Sequence, residues 1–247
     1  MKRLEKTKRI WSELGVRDPL WAIKAHSDKT HNRWDIQEFY ETGIKDTNEL
    51  ILYLESLDLD IPKQRCLDFA CGVGRMSNAL GDYFEELYGV DISLPMIEKA
   101  QRYIDRTNCY FQTIASDDLQ IFPDSYFDLI VSYLTLFHIH SENAKNYLRE
   151  FMRILNHQGS TVFHLVNEPI IQDVKTFITI KLPQLSRLLW RVLGRYPSIS
   201  MYAIYCIPDE DVNRLVENNA GKILDRLYLE ETLGRDYICN RYCVVKT

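Results

Sequence analysis

The sequence of 247 residues predicts an α/β fold: a mostly parallel sheet of seven strands that ends in an antiparallel pair. Three observations carry this. The first is Cys66 to Leu80 (CLDFACGVGRMSNAL), where a short apolar run meets a tight turn, Ala70-Cys71-Gly72-Val73-Gly74, and then a helical pattern. The second is the alternation of strand-like and helix-like segments from Cys66 to Val166, the mark of parallel β-α-β units. The third is the pair of apolar segments Lys222 to Leu229 and Tyr237 to Val245, whose short connection suits antiparallel pairing.

Residues 1–60 read as helices ahead of the first strand. Leu4, Trp11 and Leu14 share one helix face, with Gly15 as its stop. Asp18-Pro19-Leu20-Trp21 reads as a turn, and a polar loop follows through Asn32. Asp35 and Glu38 have the spacing of a capping box for a helix carrying Trp34, Phe39 and Tyr40 and ending near Gly43. A further helix, Thr47 to Leu57, presents Leu50, Ile51, Leu54 and Leu57.

After the turn, Met76, Leu80, Tyr83 and Leu87 recur at i, i+4, i+7 and i+11, one helical face. Leu87 to Val90 reads as the second strand and ends in Asp91, seventeen residues past Gly74. Ser93 to Arg106 is a helix with Ile97, Ala100 and Ile104 inward and Pro95 tolerated in its first turn. Cys109 to Ile114 and Phe127 to Leu134 are the third and fourth strands. A helix from Ser141 to Leu155, ended by Gly159, leads to a fifth strand, Thr161 to Val166.

Residues 167–207 break the rhythm with a long apolar and basic stretch that reads as a helical insertion: packing on the sheet, a cap over a pocket, a dimer face or a membrane-surface contact. Residues 208–247 add a helix, Pro208 to Asn219, and the two closing strands. The division is one domain over 1–247, with a helical lid (1–60), a core (61–166), the insertion or cap (167–207) and the last helix with its hairpin (208–247).

Hydrophobic residues make up 46% of the chain, ample for a buried core, and the formal net charge of −5 argues against a general nucleic-acid binder. The six cysteines form no C-x-x-C pair, which suits reduced thiols, and no acid or histidine cluster has metal spacing. No run approaches the ~18 apolar residues of a spanning helix. These features together lead to an expected cytoplasmic protein with no stable membrane insertion, monomeric or homodimeric.

The strand, glycine turn and helix build a site for a nucleotide-like ligand. Gly72 and Gly74 let the backbone turn sharply and approach the ligand closely. Asp91 can accept hydrogen bonds from both ribose hydroxyls. A dinucleotide fingerprint wants a third glycine where Ser77 stands, and Asp68 would repel a pyrophosphate while attracting an ammonium group. A nucleoside carrying positive charge is favoured.

Asp68 to Gly74 (DFACGVG) resembles the first motif of class I S-adenosylmethionine-dependent methyltransferases, D-x-G-x-G-x-G, with Ala70 in place of its first glycine. The resemblance covers about Arg65 to Val166 and implies a Rossmann-like fold with S-adenosyl-L-methionine as cofactor and S-adenosyl-L-homocysteine as product. It implies a cofactor-binding set of Asp68, Ala70, Gly72, Gly74, Arg75, Asp91, Ile92 and Met96. It also implies that Asp117 or Asp118 holds the adenine amino group, with Leu119 on the ring and Tyr133 below the cofactor. Trp34, Phe39, Tyr40 and Thr42 are the contact candidates if the N-terminal helices form a lid.

His138, just after the fourth strand, is the first candidate for a catalytic base or orienting group, with a structural hydrogen-bonding role as its alternative. His140 and His164 are weaker candidates. The fourth strand ends in Ser132-Tyr133-Leu134-Thr135 and lacks the N-P-P-[YF] sequence used on amino groups of bases. The expectation is methyl transfer by in-line displacement to N or O of a small-molecule acceptor, in specialised metabolism. The alternatives are a protein that binds the cofactor without turnover and an NAD(P)-dependent reductase.

Overall fold

The computed structural model describes residues 2–169, 204–229 and 237–247. Helix α1 (Lys2–Arg17) and the one-turn helix α2 (Pro19–Ile23) lead to the long α3 (Ile36–Ser56). Strand β1 (Arg65–Phe69) is followed by a single helical turn, α4 (Ser77–Leu80), and by β2 (Glu86–Asp91). Next come α5 (Leu94–Tyr103), β3 (Cys109–Thr113), β4 (Phe127–Ser132), α6 (Ser141–Ile154) and β5 (Leu155–Pro169). Helix α7 (Asp209–Glu217) and strands β6 (Gly221–Tyr228) and β7 (Tyr237–Lys246) close the chain.

The seven strands lie in the order β3-β2-β1-β4-β5-β7-β6. Pairing is parallel from β3 to β5 and antiparallel at β5–β7 and β6–β7, as the sequence predicts. Alternate residues of the strands feed two cores. Leu67, Phe69, Phe163 and Tyr242 pack with Tyr147 and Phe151 of α6 on one face. Cys66, Leu129, Val131, Val162 and Cys243 pack with Leu50 and Leu54 of α3 and Leu80 of α4 on the other. Each fully buried side chain of this kind contributes about 1.5–3 kcal/mol. A third cluster, Phe39, Val73 and Met96, joins α3, the glycine turn and α5.

Five elements depart from expectation: Pro19–Ile23, read as part of a turn, is the one-turn helix α2 with Pro19 in its first turn, and the other four departures have a packing cause. Gly43 does not end a helix, and α3 runs unbroken from Ile36 to Ser56. A Cβ on Gly43 would lie 2.0 Å from the Arg75 carbonyl oxygen, so this glycine admits the turn against the helix. Gly15 likewise lies inside α1, where a Cβ would come within 3.0 Å of Ser93 Oγ. The helix after the turn is only Ser77–Leu80, because Glu85 and Glu86 N–H donate to the Lys63 and Gln64 carbonyls and draw Leu87 into β2. Gly159 does not end α6; it lies within β5, where a Cβ would meet the Asp128 carbonyl oxygen at 3.0 Å.

The cap at α3 is also simpler than a capping box. Asp35 Oδ1 accepts from Gln37 and Glu38 N–H, while the Glu38 carboxylate pairs with Lys29 at 2.5 Å. Most of the 167–207 insertion lies outside the described residues.

Candidate functional site

The turn after β1 has three residues in the left-handed region: Ala70 (φ 60°), Gly72 (φ 57°) and Gly74 (φ 78°). Cys71 N–H donates to the Val90 carbonyl and Gly74 N–H to the Cys71 carbonyl, fixing the turn beside the end of β2. Asp91 closes it: Oδ2 accepts from Gly72 N–H at 3.0 Å and Oδ1 from Ser93 N–H at 2.8 Å. A carboxylate has about four lone-pair sites, so this pinning leaves acceptor capacity for a ligand. Burial lifts the Asp91 pKa to about 6, against the pull of its backbone donors.

A cavity of about 650 Å³ opens at this turn. Its walls include Ala70, Gly72, Asp91, Ile92, Met96, Tyr133 and His138, so seven of the residues singled out in the sequence meet there. It falls within the ~300–1,000 Å³ range of small-molecule sites and at the C-terminal ends of parallel strands. Tyr133 follows β4, and its hydroxyl pKa is raised by burial. His138 ends a single 3-10 turn (Leu136–His138), and its ring meets that of Trp11 edge-on with centroids 5.7 Å apart.

Other expected residues are engaged elsewhere. Asp68 is buried off the cavity wall and accepts from Ser77 Oγ at 2.6 Å; burial lifts its pKa to about 6. Gly74 packs internally, a Cβ there lying 2.3 Å from Ile104 Cδ1. Arg75, buried, binds Asp46 at 2.7 Å and Thr42 at 3.2 Å, tying the turn to α3. Tyr40 donates to the Val73 carbonyl at 2.8 Å, and Trp34 donates to the Lys24 carbonyl at 3.0 Å. Both aromatic side chains brace the walls without lining the cavity.

The loop after β3 is tied to α6. Asp117 Oδ2 accepts from Asn143 and Asn146 at 3.2 and 3.1 Å, and Asp118 Oδ1 from Ser116 Oγ at 3.0 Å. Leu119 is fully buried in the core, and its N–H donates to Glu150. Tyr147 of α6 donates to the Ser116 carbonyl at 2.7 Å and reaches the cavity wall beside Ile114.

The sequence reading missed several wall residues: Thr7, Ala22 to Ala25, Glu49, Ile114, Thr135 and Tyr147. Leu4 and Trp11 were recognised as a helix stripe, but not as wall residues. The stripe Leu4, Thr7, Trp11 at i, i+3 and i+7 was the available signal. Among the described residues no group of three or more His, Cys, Asp or Glu could hold a metal, and no helix is long and apolar enough to cross a membrane.

Residues 67–163 match the family described as a methyltransferase domain. A phosphoethanolamine N-methyltransferase of Triticum aestivum is 30% identical over 129 residues, 51% of this chain and 24% of that protein. YcgJ, an uncharacterised methyltransferase of Bacillus subtilis, is 30% identical over 100 residues, 39% of this chain and 38% of its own. The chain thus spans about a quarter of the length of the plant relative. Among solved structures, magnesium protoporphyrin IX methyltransferase of Synechocystis with bound SAH superposes with TM-score 0.62 at 16% identity, covering 97% of this chain and 100% of that one. An S-adenosylmethionine-dependent methyltransferase of Leishmania major gives TM-score 0.64 at 15% identity, covering 98% and 82%. At such identities the structural likeness is one of fold. Domain match over residues 67–163, strand order and glycine turn agree with one another: this part of the chain matches a methyltransferase domain, and the fold is that of S-adenosylmethionine-dependent methyltransferases.

Proposed function

We propose that the protein transfers a methyl group from S-adenosylmethionine to an N or O atom of a small-molecule acceptor, in specialised metabolism. The observation that carries this reading is the continuity of one cavity from Asp91 and Gly72 to Tyr133, Thr135 and His138. The residues fit the cofactor: an acceptor-rich, pinned carboxylate for ribose hydroxyls, a turn whose backbone can approach closely, and apolar walls at Ile92, Met96 and Ile114. Of the two loop acids, Asp117 is held in direction by two amide groups, and we assign the adenine amino group to it.

When bound, S-adenosylmethionine supplies the electrophilic methyl group for in-line displacement. The walls then have to orient the acceptor and exclude water. Trp11, Phe137 and Ile139 supply apolar cover beside His138. Of the cavity's groups able to take a proton, we assign that role to His138, which follows β4.

The test is incubation with methyl-labelled S-adenosylmethionine and a panel of small acceptors, starting with phosphoethanolamine, which names the plant relatives. Label transfer by the wild type, falling about 100-fold in His138→Ala, is the expected result. Tight S-adenosylhomocysteine binding with no transfer to any acceptor would instead mark a cofactor-binding protein without turnover. The antiparallel β5-β7-β6 edge and Ser77 disfavour a nicotinamide-dependent reductase.

A further inference from the structure

Three polar side chains stand in one row on the sheet face that α3 covers. Ser132 of β4 pairs with Phe163 of β5, which brings Tyr133 beside His164; His164 pairs in turn with Arg241 of β7. The Tyr133 and His164 ring centroids are 4.3 Å apart. The Arg241 guanidinium lies 3.6 Å over the ring of Tyr53 on α3.

Two members of the row are incompletely satisfied, although the Arg241 guanidinium is within hydrogen-bonding reach of the Tyr133 hydroxyl. His164 is only 5% exposed, yet neither of its ring nitrogens has a hydrogen-bond partner among the described residues, and neither does Arg241 Nε. A buried polar group left unpaired costs stability, and such groups call for an explanation. Further along β5 the buried polar chemistry is complete. Asn167 donates to the Ile207 carbonyl and to Tyr242 Oη, and accepts from Asn240. Ser132 Oγ of β4 and Ser160 Oγ and Thr161 Oγ1 of β5 also lack a partner among the described residues, but these are single hydroxyls, whereas the row sets an imidazole beside a guanidinium.

The row also adjoins the cavity, because Tyr133 belongs to both. Its chemistry is that of donors: a phenol O–H, a guanidinium and an imidazole. Burial and the Arg241 charge hold the His164 pKa down at about 3, so its ring is neutral and keeps one N–H. Asp46 is matched by Arg75 at 2.7 Å and Glu49 is near Lys45 at 3.9 Å; Asp225, the other nearby carboxylate, accepts from Tyr53 Oη at 2.6 Å, and among the described residues none of them forms an ion pair with Arg241. An unmatched cation among donors suits an anion.

We propose that Tyr133, His164 and Arg241 form an anchoring subsite for an oxyanion, a carboxylate or phosphate, carried by the methyl acceptor. The proposal rests on the methyltransferase reading and narrows it to acceptors with an anionic group. Arg241 supplies the charge, His164 and Tyr133 the directed donors, and an acceptor held there extends along the cavity toward the glycine turn.

The experiment follows the His164 imidazole signals of histidine-labelled protein by NMR during titration with inorganic phosphate, acetate and, as a control, methylammonium. It is run with and without S-adenosylhomocysteine, whose own titration reports separately on the cofactor reading. Saturable shifts with phosphate or acetate are expected, the tighter of the two identifying the anionic group. Arg241→Gln, which drops the charge and keeps hydrogen bonding, should weaken that binding about tenfold or more. His164→Gln should weaken it less, since it keeps a donor. The proposal is overturned if neither anion shifts His164, if methylammonium alone does, or if both variants bind anion as the wild type does. It is also overturned if His164→Leu raises Tm and leaves anion affinity unchanged, which would make the row merely structural.

Discussion

At Ala70 a side chain occupies a backbone conformation that favours glycine, with φ 60°. A left-handed residue with a Cβ costs about 1–2 kcal/mol, and a β-branched one costs more. Ala70→Val should therefore lower stability by about 2 kcal/mol in urea unfolding and crowd the cavity wall that Ala70 helps to form. An unchanged unfolding midpoint would contradict the strained geometry. Asp91 sets a pH dependence of its own. Burial raises its pKa from 3.8 to about 6, so between those values the folded protein holds a proton that the unfolded chain releases. Its contribution to stability is thus full below about pH 4 and is lost as pH rises through about 6. Ligand binding runs the other way, because the ionised carboxylate is the better acceptor for ribose hydroxyls. S-adenosylhomocysteine affinity should fall as pH drops below about 6 in calorimetric titration, and Asp91→Asn should lose most of that dependence. Asp91 and Gly72 were legible because their motif fixes backbone and acid together. The roles of Trp34 and Tyr40 were not, because the Lys24 and Val73 carbonyls that engage them are brought near only by the tertiary fold.

Among the elements, α3 shows how a glycine can be misread from sequence. Gly43 looks like a stop, yet it lies within a helix whose close contact with the Arg75 carbonyl leaves no space for a methyl group. Gly43→Ala gains up to about 1 kcal/mol in helix propensity but must push helix and turn apart. A net loss of about 2 kcal/mol is expected in urea unfolding, with weakened cofactor binding because Arg75, Thr42 and Asp46 lose their alignment. Higher stability in the variant would refute this packing account. Helix α4 failed expectation for a related reason: periodicity at Met76, Leu80 and Tyr83 reports burial against the α3 side, which a short turn satisfies as well as a long helix. Strand β5 is longer than its apolar run because β7 pairs along most of its length, from Ser160 to Pro169. That partner lies far away in sequence.

For the whole molecule, the strand order was within reach of sequence reasoning. Strand and helix periods alternate up to β5, and the final two strands lie too close together for a crossover helix. The site was half legible: the strand-end residues follow from topology, whereas Thr7, Ala22 to Ala25 and Glu49 reach the cavity only because α1, α2 and α3 fold over it. The central claim, that the glycine turn and Asp91 hold S-adenosylmethionine, is most directly tested by calorimetric titration of wild type and Asp91→Ala with S-adenosylhomocysteine, beside NAD(H). The account expects micromolar binding of S-adenosylhomocysteine (about −8 kcal/mol), weakened about tenfold or more in Asp91→Ala, and no saturable binding of NAD(H). Equal binding by the folded variant, or NAD(H) binding tighter than S-adenosylhomocysteine, would contradict it.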